Sequence, residues 1–214
     1  MTKKYKVNEV FASIQGEGPH VGTMSVFVRF SGCNLDCDFC DTEHEQHMHW
    51  SAKQVADEVE KCLEEVNGND IPIILTGGEP LLQVDDELLG ALYPHELHLE
   101  TNGTLMAGCD LQRFWYIVVS PKEKRLHEAT LGWANCLKVL SPLPADLTLE
   151  DIAVYSDCIE DLVVQPVTPK DGLDDMATWS DNLGQALADA GELSRMTGQR
   201  WRVIPQVHRL IGVR

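Results

Sequence analysis

Cys33, Cys37 and Cys40 place three thiols within eight residues. Three thiolates on one short loop are soft ligands, suited to zinc or to an iron–sulfur cluster. A zinc site would take His44, just beyond the third cysteine, as its fourth ligand. The usual zinc spacings come as two separated ligand pairs, which this chain lacks. A four-iron cluster held by three cysteines would leave one iron without a protein ligand, open to chelation by a small molecule. Other polar groups gather behind apolar runs. Thr76-Gly77-Gly78-Glu79-Pro80 follows one such run, Glu100-Thr101-Asn102 ends another, Ser120-Pro121-Lys122 follows a third, and Gln165-Pro166 follows a fourth.

The runs that carry these groups read as strands. They are Met24–Phe30, Ile71–Leu75, Leu97–Glu100, Trp115–Val119, Asn135–Leu140, Asp161–Val164 and Trp201–Ile204. Helical patterns alternate with them. Ser51 with Gln54 forms a capping box ahead of Val55, Val59, Cys62, Leu63 and Val66 at helical spacing. Asp85 to Leu92 and Thr148 to Ser156 read as short helices, and Trp179, Leu183, Ala186, Leu187 and Ala190 mark a long one. Apolar strands alternating with helices predict an α/β fold with a mostly parallel sheet of six or seven strands. A complete eight-fold barrel needs about 250 residues, so 214 residues predict an open, partial TIM-type barrel. Its functional face would be the C-terminal ends of the strands, where all the polar groups fall.

A chain of this length reads as one domain, residues 1–214, able to bury about 70% of its surface without disulfides. No apolar run is long enough to span a membrane, and the N-terminus lacks the apolar core of a signal peptide, so a cytoplasmic location is expected. Seven cysteines argue against a disulfide framework there, and Cys62, Cys109, Cys136 and Cys158 read as packing residues. The formal charge of −17 disfavours direct nucleic-acid binding.

Cys-x3-Cys-x2-Cys with Phe39 before the last cysteine resembles the radical S-adenosylmethionine (SAM) superfamily. The Gly77-Gly78-Glu79-Pro80 run is similar to that superfamily's second motif. Further segments resemble one family within it, the 7-carboxy-7-deazaguanine synthases. They are Ile14-Gln15-Gly16-Glu17-Gly18, Phe27-Val28-Arg29, Gly32-Cys33-Asn34-Leu35 with Cys40-Asp41-Thr42, Glu100-Thr101-Asn102-Gly103-Thr104, Ser120-Pro121-Lys122, Trp201-Arg202 and Gln206-Val207-His208. The likeness runs from about residue 8 to the C-terminus. It implies conversion of 6-carboxy-5,6,7,8-tetrahydropterin to 7-carboxy-7-deazaguanine with loss of ammonia, within queuosine and related deazapurine biosynthesis. It also implies a [4Fe-4S] cluster, SAM cleaved to a 5′-deoxyadenosyl radical and regenerated, and Mg²⁺.

The resemblance assigns roles residue by residue. Cys33, Cys37 and Cys40 would hold the cluster. Phe39, Gly77, Gly78, Glu79, Glu100, Asn102, Ser120, Pro121, Lys122, Gln165, Pro166, Val167 and Thr168 would bind SAM. Ile14, Gln15, Gly16, Glu17 and Thr76 would bind the pterin, with Arg29 on its carboxylate, and Thr42 would supply an oxygen to Mg²⁺. A tail of about residues 201–214 would cover the substrate, bringing His208 and the Arg214 carboxylate to it. The His-rich stretch 44–49 receives no role. A flavodoxin-type electron donor and a homodimer are the further expectations, with a basic docking patch at Lys122, Lys124 and Arg125. The competing readings are an activase for a glycyl-radical enzyme and a non-catalytic zinc- or cluster-binding module. The first lacks the Gln-Gly-Glu-Gly opening and the Gln-x-His tail, and the second leaves the other strand-end groups unexplained.

Overall fold

The computed structural model describes residues 3–40, 46–68, 70–169 and 174–213. Its strands are β1 (Tyr5–Ile14), β2 (Met24–Phe30), β3 (Met48–Trp50), β4 (Ile73–Gly77), β5 (Leu97–Thr101), β6 (Tyr116–Val119), β7 (Cys136–Ser141), β8 (Asp161–Pro166) and β9 (Trp201–Val203). The helices are α1 (Ala52–Glu65), α2 (Asp86–Ala91), α3 (Glu128–Leu131), α4 (Leu149–Tyr155), α5 (Met176–Thr197) and α6 (Val207–Ile211). The strands form one sheet in the order β3-β1-β2-β4-β5-β6-β7-β8-β9. From β2 to β9 every neighbouring pair is parallel. β1 runs antiparallel to both β2 and β3.

The sheet therefore has nine strands among the described residues, two more than the sequence pattern indicates. Both additions lie at the N-terminal edge. β1 carries Lys, Asn, Glu and Ser between its apolar residues, and its alternation breaks at a bulge between Val7 and Glu9. β3 has only three residues, too few to register as a pattern. The seven expected strands and the helices α1, α2 and α4 lie within two residues of their predicted bounds; α5 extends three residues before and seven residues beyond its marked positions, and α3 and α6 are additional to the sequence pattern.

Side-chain alternation separates the two faces of the sheet. Leu97 and Leu99 of β5 turn outward into the main core, against Val55, Val59, Cys62 and Leu63 of α1 and Leu88 and Leu89 of α2. Ile152 of α4 and Ala186, Ala190 and Leu193 of α5 cover the other half. Burying that helical face matters more to α1 than its capping box, in which Ser51 Oγ accepts from the Gln54 amide and Gln54 Oε1 from the Ser51 amide. Ala substitution at such a cap costs about 1 kcal/mol.

The inner face is different. Phe11, Phe27 and Ile74 form one small apolar cluster, with the phenyl rings stacked at 5.2 Å between centroids. Val118, Cys136 and Val163 form another. His98, Glu100 and Lys138 also face inward, and each is nearly buried or lines the same hollow. Residues from β2 and from β4 through β8 line one cavity, so the sheet curls around it. Its edge strands β3 and β9 are not paired with each other, which leaves the barrel open. No described helix is long and apolar enough to cross a membrane. Of the scattered cysteines, Cys62 and Cys136 are buried and Cys109 packs against the core, but Cys158 is exposed at a positive φ of 65° and lies outside the core cluster.

Candidate active site

The cavity measures about 570 Å³ and opens where the parallel strands end. That size and its mixed lining are typical of a small-molecule site. Three walls can be distinguished by chemistry: a cysteine loop after β2, a polar rim after β6 and β8, and a charged floor built from β2, β5, β7 and the β1–β2 loop.

The cysteine wall follows Phe30. Cys33, Cys37, Cys40 and the ring of Phe39 all line the cavity. The loop is folded tightly on itself: the Leu35 amide donates to Cys33 Sγ at 3.4 Å, and the Cys40 amide to the Cys37 carbonyl at 2.9 Å. Burial pushes the Cys33 and Cys37 thiols upward, and the nearby Lys122 ammonium opposes this at Cys37. Among the described residues no three His, Cys, Asp or Glu side chains are arranged to hold a single ion. Three thiols spread along one wall suit a multi-iron cluster, in which each thiolate takes a different iron.

The β4 end is wedged against this loop. Gly77 has φ 138°, a region open to glycine, and a Cβ on it would meet the Phe30 backbone. A Cβ on Gly78 would strike the Gly32 carbonyl and lie 3.2 Å from Cys33 Cβ. The two glycines are therefore needed first for close packing of strand end on cysteine loop, besides whatever ligand approaches them. Glu79 is fully buried and does not line the cavity. Its carboxylate accepts from the Leu81 amide at 2.9 Å, Thr101 Oγ1 at 2.8 Å and the Asn102 amide at 2.8 Å. Burial raises its pKa despite these donors. Expected as a cofactor ligand, Glu79 is instead a clamp between the β4 and β5 ends. Asn102 does line the cavity, and its side-chain Nδ2 donates to Asn34 Oδ1 at 3.0 Å, tying β5 to the cysteine loop.

The polar rim holds Ser120, Lys122, Gln165, Val167 and Thr168. Lys122 Nζ donates to Ser120 Oγ at 2.5 Å and to its carbonyl at 3.1 Å. Gln165 Oε1 and Thr168 Oγ1 are buried with no hydrogen-bond partner. Buried polar atoms are normally paired, so two orphans on one wall fit a polar ligand completing them. Together with Phe39 and the cysteine wall, this donor set fits a cluster and SAM side by side. Pro121 and Pro166 shape the strand ends but do not line the cavity. Proline has no N–H to present there.

The charged floor carries the most connected hydrogen bonds. Gln15 donates from Nε2 to Glu100 Oε1 at 2.9 Å and accepts at Oε1 from the Glu17 amide at 3.0 Å. Thr76 Oγ1 donates to Glu100 Oε2 at 3.2 Å. Glu17 accepts from Gln206 Nε2 at 2.7 Å and pairs with Lys138. Burial alone would raise the Glu17 carboxyl, but the Lys138 ammonium and these hydrogen bonds hold it well below the usual range. Arg29 donates from Nε to Glu9 at 2.8 Å and lies over the Phe11 ring. Glu100, expected to face the nucleotide, is thus bound into the Gln15–Thr76 network. Ile14, Gly16 and His208 complete this wall. α6 docks there: the Val207 amide donates to the Gly16 carbonyl at 2.8 Å, and a Cβ on Gly16 would overlap the His208 ring. Thr42 and Arg214 lie outside the described residues, as does His44.

Two floor residues escaped the sequence reading. Lys138 is only 5% exposed in the middle of an apolar strand, and a lysine inside CLKVLS was the available signal. Gln206 is buried at the start of α6. In the sequence it stands only as the first residue of the Gln206-Val207-His208 segment.

The radical SAM superfamily model matches residues 27–115. The chain is 35% identical to the 7-carboxy-7-deazaguanine synthase of Bradyrhizobium diazoefficiens, over 98% of this chain and 99% of that one. It is 31% identical to the 7-carboxy-7-deazaguanine synthase of Methanothermobacter thermautotrophicus, over 96% of each. The crystal structure of QueE from Escherichia coli superposes with a TM-score of 0.66 over 96% of this chain and 95% of that one, at 22% identity, which shows a shared fold. Likeness along the whole length, with the cysteine loop and glycine run at one cavity, decides the matter: the chain belongs to the 7-carboxy-7-deazaguanine synthase family of radical SAM proteins.

Proposed function

We propose that this protein converts 6-carboxy-5,6,7,8-tetrahydropterin to 7-carboxy-7-deazaguanine with release of ammonia, a ring contraction that feeds 7-deazapurine biosynthesis of the queuosine type. The observation that carries the reading is end-to-end identity to enzymes of that name. It is joined in the cavity by a cysteine wall facing a floor of Arg29, Glu17, Glu100 and Gln15. Bound there, a [4Fe-4S] cluster and SAM supply the one-electron chemistry that removes hydrogen from the substrate carbon bearing the carboxylate.

The chain's own residues bind and orient. Cys33, Cys37 and Cys40 hold the cluster, and Ser120, Lys122, Gln165 and Thr168 hold the nucleotide. Arg29 takes the substrate carboxylate; one ion pair to Glu9 does not exhaust a guanidinium with five N–H donors. Gln15, Glu17 and Glu100 face the N–H groups of the aminopyrimidine. α6 roofs the site and excludes water, with His208 against the bound pterin. Mg²⁺ is a further cofactor in this reading, with Thr42 as its protein oxygen. The reaction runs in the cytoplasm in a homodimer, with reducing equivalents from a flavodoxin-type donor.

Anaerobic turnover of the reconstituted protein tests the function. Supplied with the tetrahydropterin, SAM, Mg²⁺ and reductant, it should yield 7-carboxy-7-deazaguanine by mass, and Cys37→Ala should yield none. A well-loaded cluster that leaves the tetrahydropterin unconverted would overturn the reading.

A further inference from the structure

Lys138 is the feature that the proposed reaction leaves without a task. It projects from β7 into the cavity, is 5% exposed, and pairs with Glu17. Glu100 on β5 lines the same cavity and, with Glu17, favours the charged form of the ammonium. Gln15 ties the two residues together, donating to the Glu100 carboxylate at 2.9 Å and accepting from the Glu17 backbone amide at 3.0 Å. One buried cation thus serves two carboxylates that a single side chain holds on one cavity wall.

We propose that Lys138 is a positioning residue for substrate recognition: its ammonium lets Glu17 and Glu100 remain charged together, so that both accept N–H donors from the cyclic guanidine edge of an aminopyrimidine. The inference rests on the pterin reading above and names what selects that edge. Two carboxylates sharing a desolvated site repel, and one of them takes up a proton when no cation intervenes. A protonated carboxyl presents an O–H where the substrate also presents a donor, and that edge is then rejected. Burial would push the Lys138 ammonium toward neutrality, but the two acids override it and raise its pKa. The charged and titratable groups around this trio are Cys136 on β7, His208 on α6, and His20 and His98, which line the small hollow beneath Glu17 and Glu100. All four are common to wild type and Lys138 variants, so they cancel in a comparison.

The test is calorimetric binding of 6-carboxypterin, an unreactive aromatic analogue, to the anaerobic cluster-loaded protein with SAM. Relative to wild type measured at the same pH, Lys138→Met should bind at least about tenfold more weakly at about pH 5.5 and regain most of that by about pH 7.5. Lys138→Arg, which keeps the charge, should follow wild type. An unchanged Lys138→Met, or one weakened equally at both ends, would overturn the inference. Should Lys138→Met not fold, Lys138→Gln takes its place with the same two outcomes, and wild type tests the acceptor wall separately. It should prefer 6-carboxypterin over 6-carboxylumazine, which carries oxygen in place of the exocyclic amine, by at least about tenfold. Equal affinity would refute the acceptor wall. A wild type that binds neither compound refutes the pterin reading itself, and the Lys138 inference falls with it.

Discussion

Arg29 enters the cavity already bound to Glu9 at 2.8 Å, which fixes the guanidinium before any substrate arrives. A fixed bidentate donor gives specificity as well as affinity. Arg29→Ala should raise KM for the carboxylated pterin by at least about tenfold, with SAM affinity unchanged, in steady-state assays and SAM binding measured side by side. Gly78 acts through space rather than through chemistry. Its Cα hydrogen faces the Gly32 carbonyl, and any side chain must displace the cysteine loop. Gly78→Ala should therefore lower iron and sulfide content after reconstitution, while far-ultraviolet circular dichroism stays that of wild type. Glu79 makes a third case. Truncation to Ala strands the Asn102 amide and Thr101 hydroxyl in a dry interior, at a cost of about 2–3 kcal/mol, read as a lower denaturant midpoint. The glycines and cysteines were legible in the sequence because only a few tasks demand such residues. Glu79 was legible as important but not in role, because a motif does not say which way a carboxylate points.

At the scale of elements, the roof is the part most open to test. α6 has no buried residue, and it sits on the β1–β2 loop through the Val207–Gly16 hydrogen bond and the His208 ring. Gly16→Ala would lift that ring from its seat. KM for the pterin should rise at least about tenfold, while cluster content and SAM binding stay intact, because the cysteine wall is built elsewhere. If iron content fell in step with activity, the roof and the cluster loop would be one unit rather than two. Helices and parallel strands were readable because each presents one long apolar pattern to the main core. β1 was not, since its two partners are antiparallel, its inner and outer faces are both mixed, and a bulge breaks its period. Lys138 and Gln206 were missed for a related reason. Apolar periodicity reports the outward face of a barrel strand, whereas the site is made on the inward face, where a single charged residue reads as noise.

For the whole molecule, a net charge of −17 bears on the proposed flavodoxin-type donor, since such donors are themselves acidic. Long-range repulsion slows encounter unless a local basic area offsets it. Lys124 and Arg125 are exposed after β6, close in sequence to Lys122 on the cavity rim, although Asp151 holds Lys124 at 3.0 Å. Reversing both, Lys124→Glu with Arg125→Glu, should cut flavodoxin-driven turnover several-fold at low salt and leave dithionite-driven turnover unchanged. Equal effects with both reductants would remove the docking role. The central claim is that one cavity uses SAM as a regenerated cofactor to contract a pterin ring. The most direct measurement counts products under limiting SAM, with the tetrahydropterin, Mg²⁺ and reductant in excess. Several equivalents of 7-carboxy-7-deazaguanine per SAM, with ammonia in equal amount, are the predicted result. Accumulation of 5′-deoxyadenosine with no deazaguanine would keep the radical chemistry and contradict the substrate.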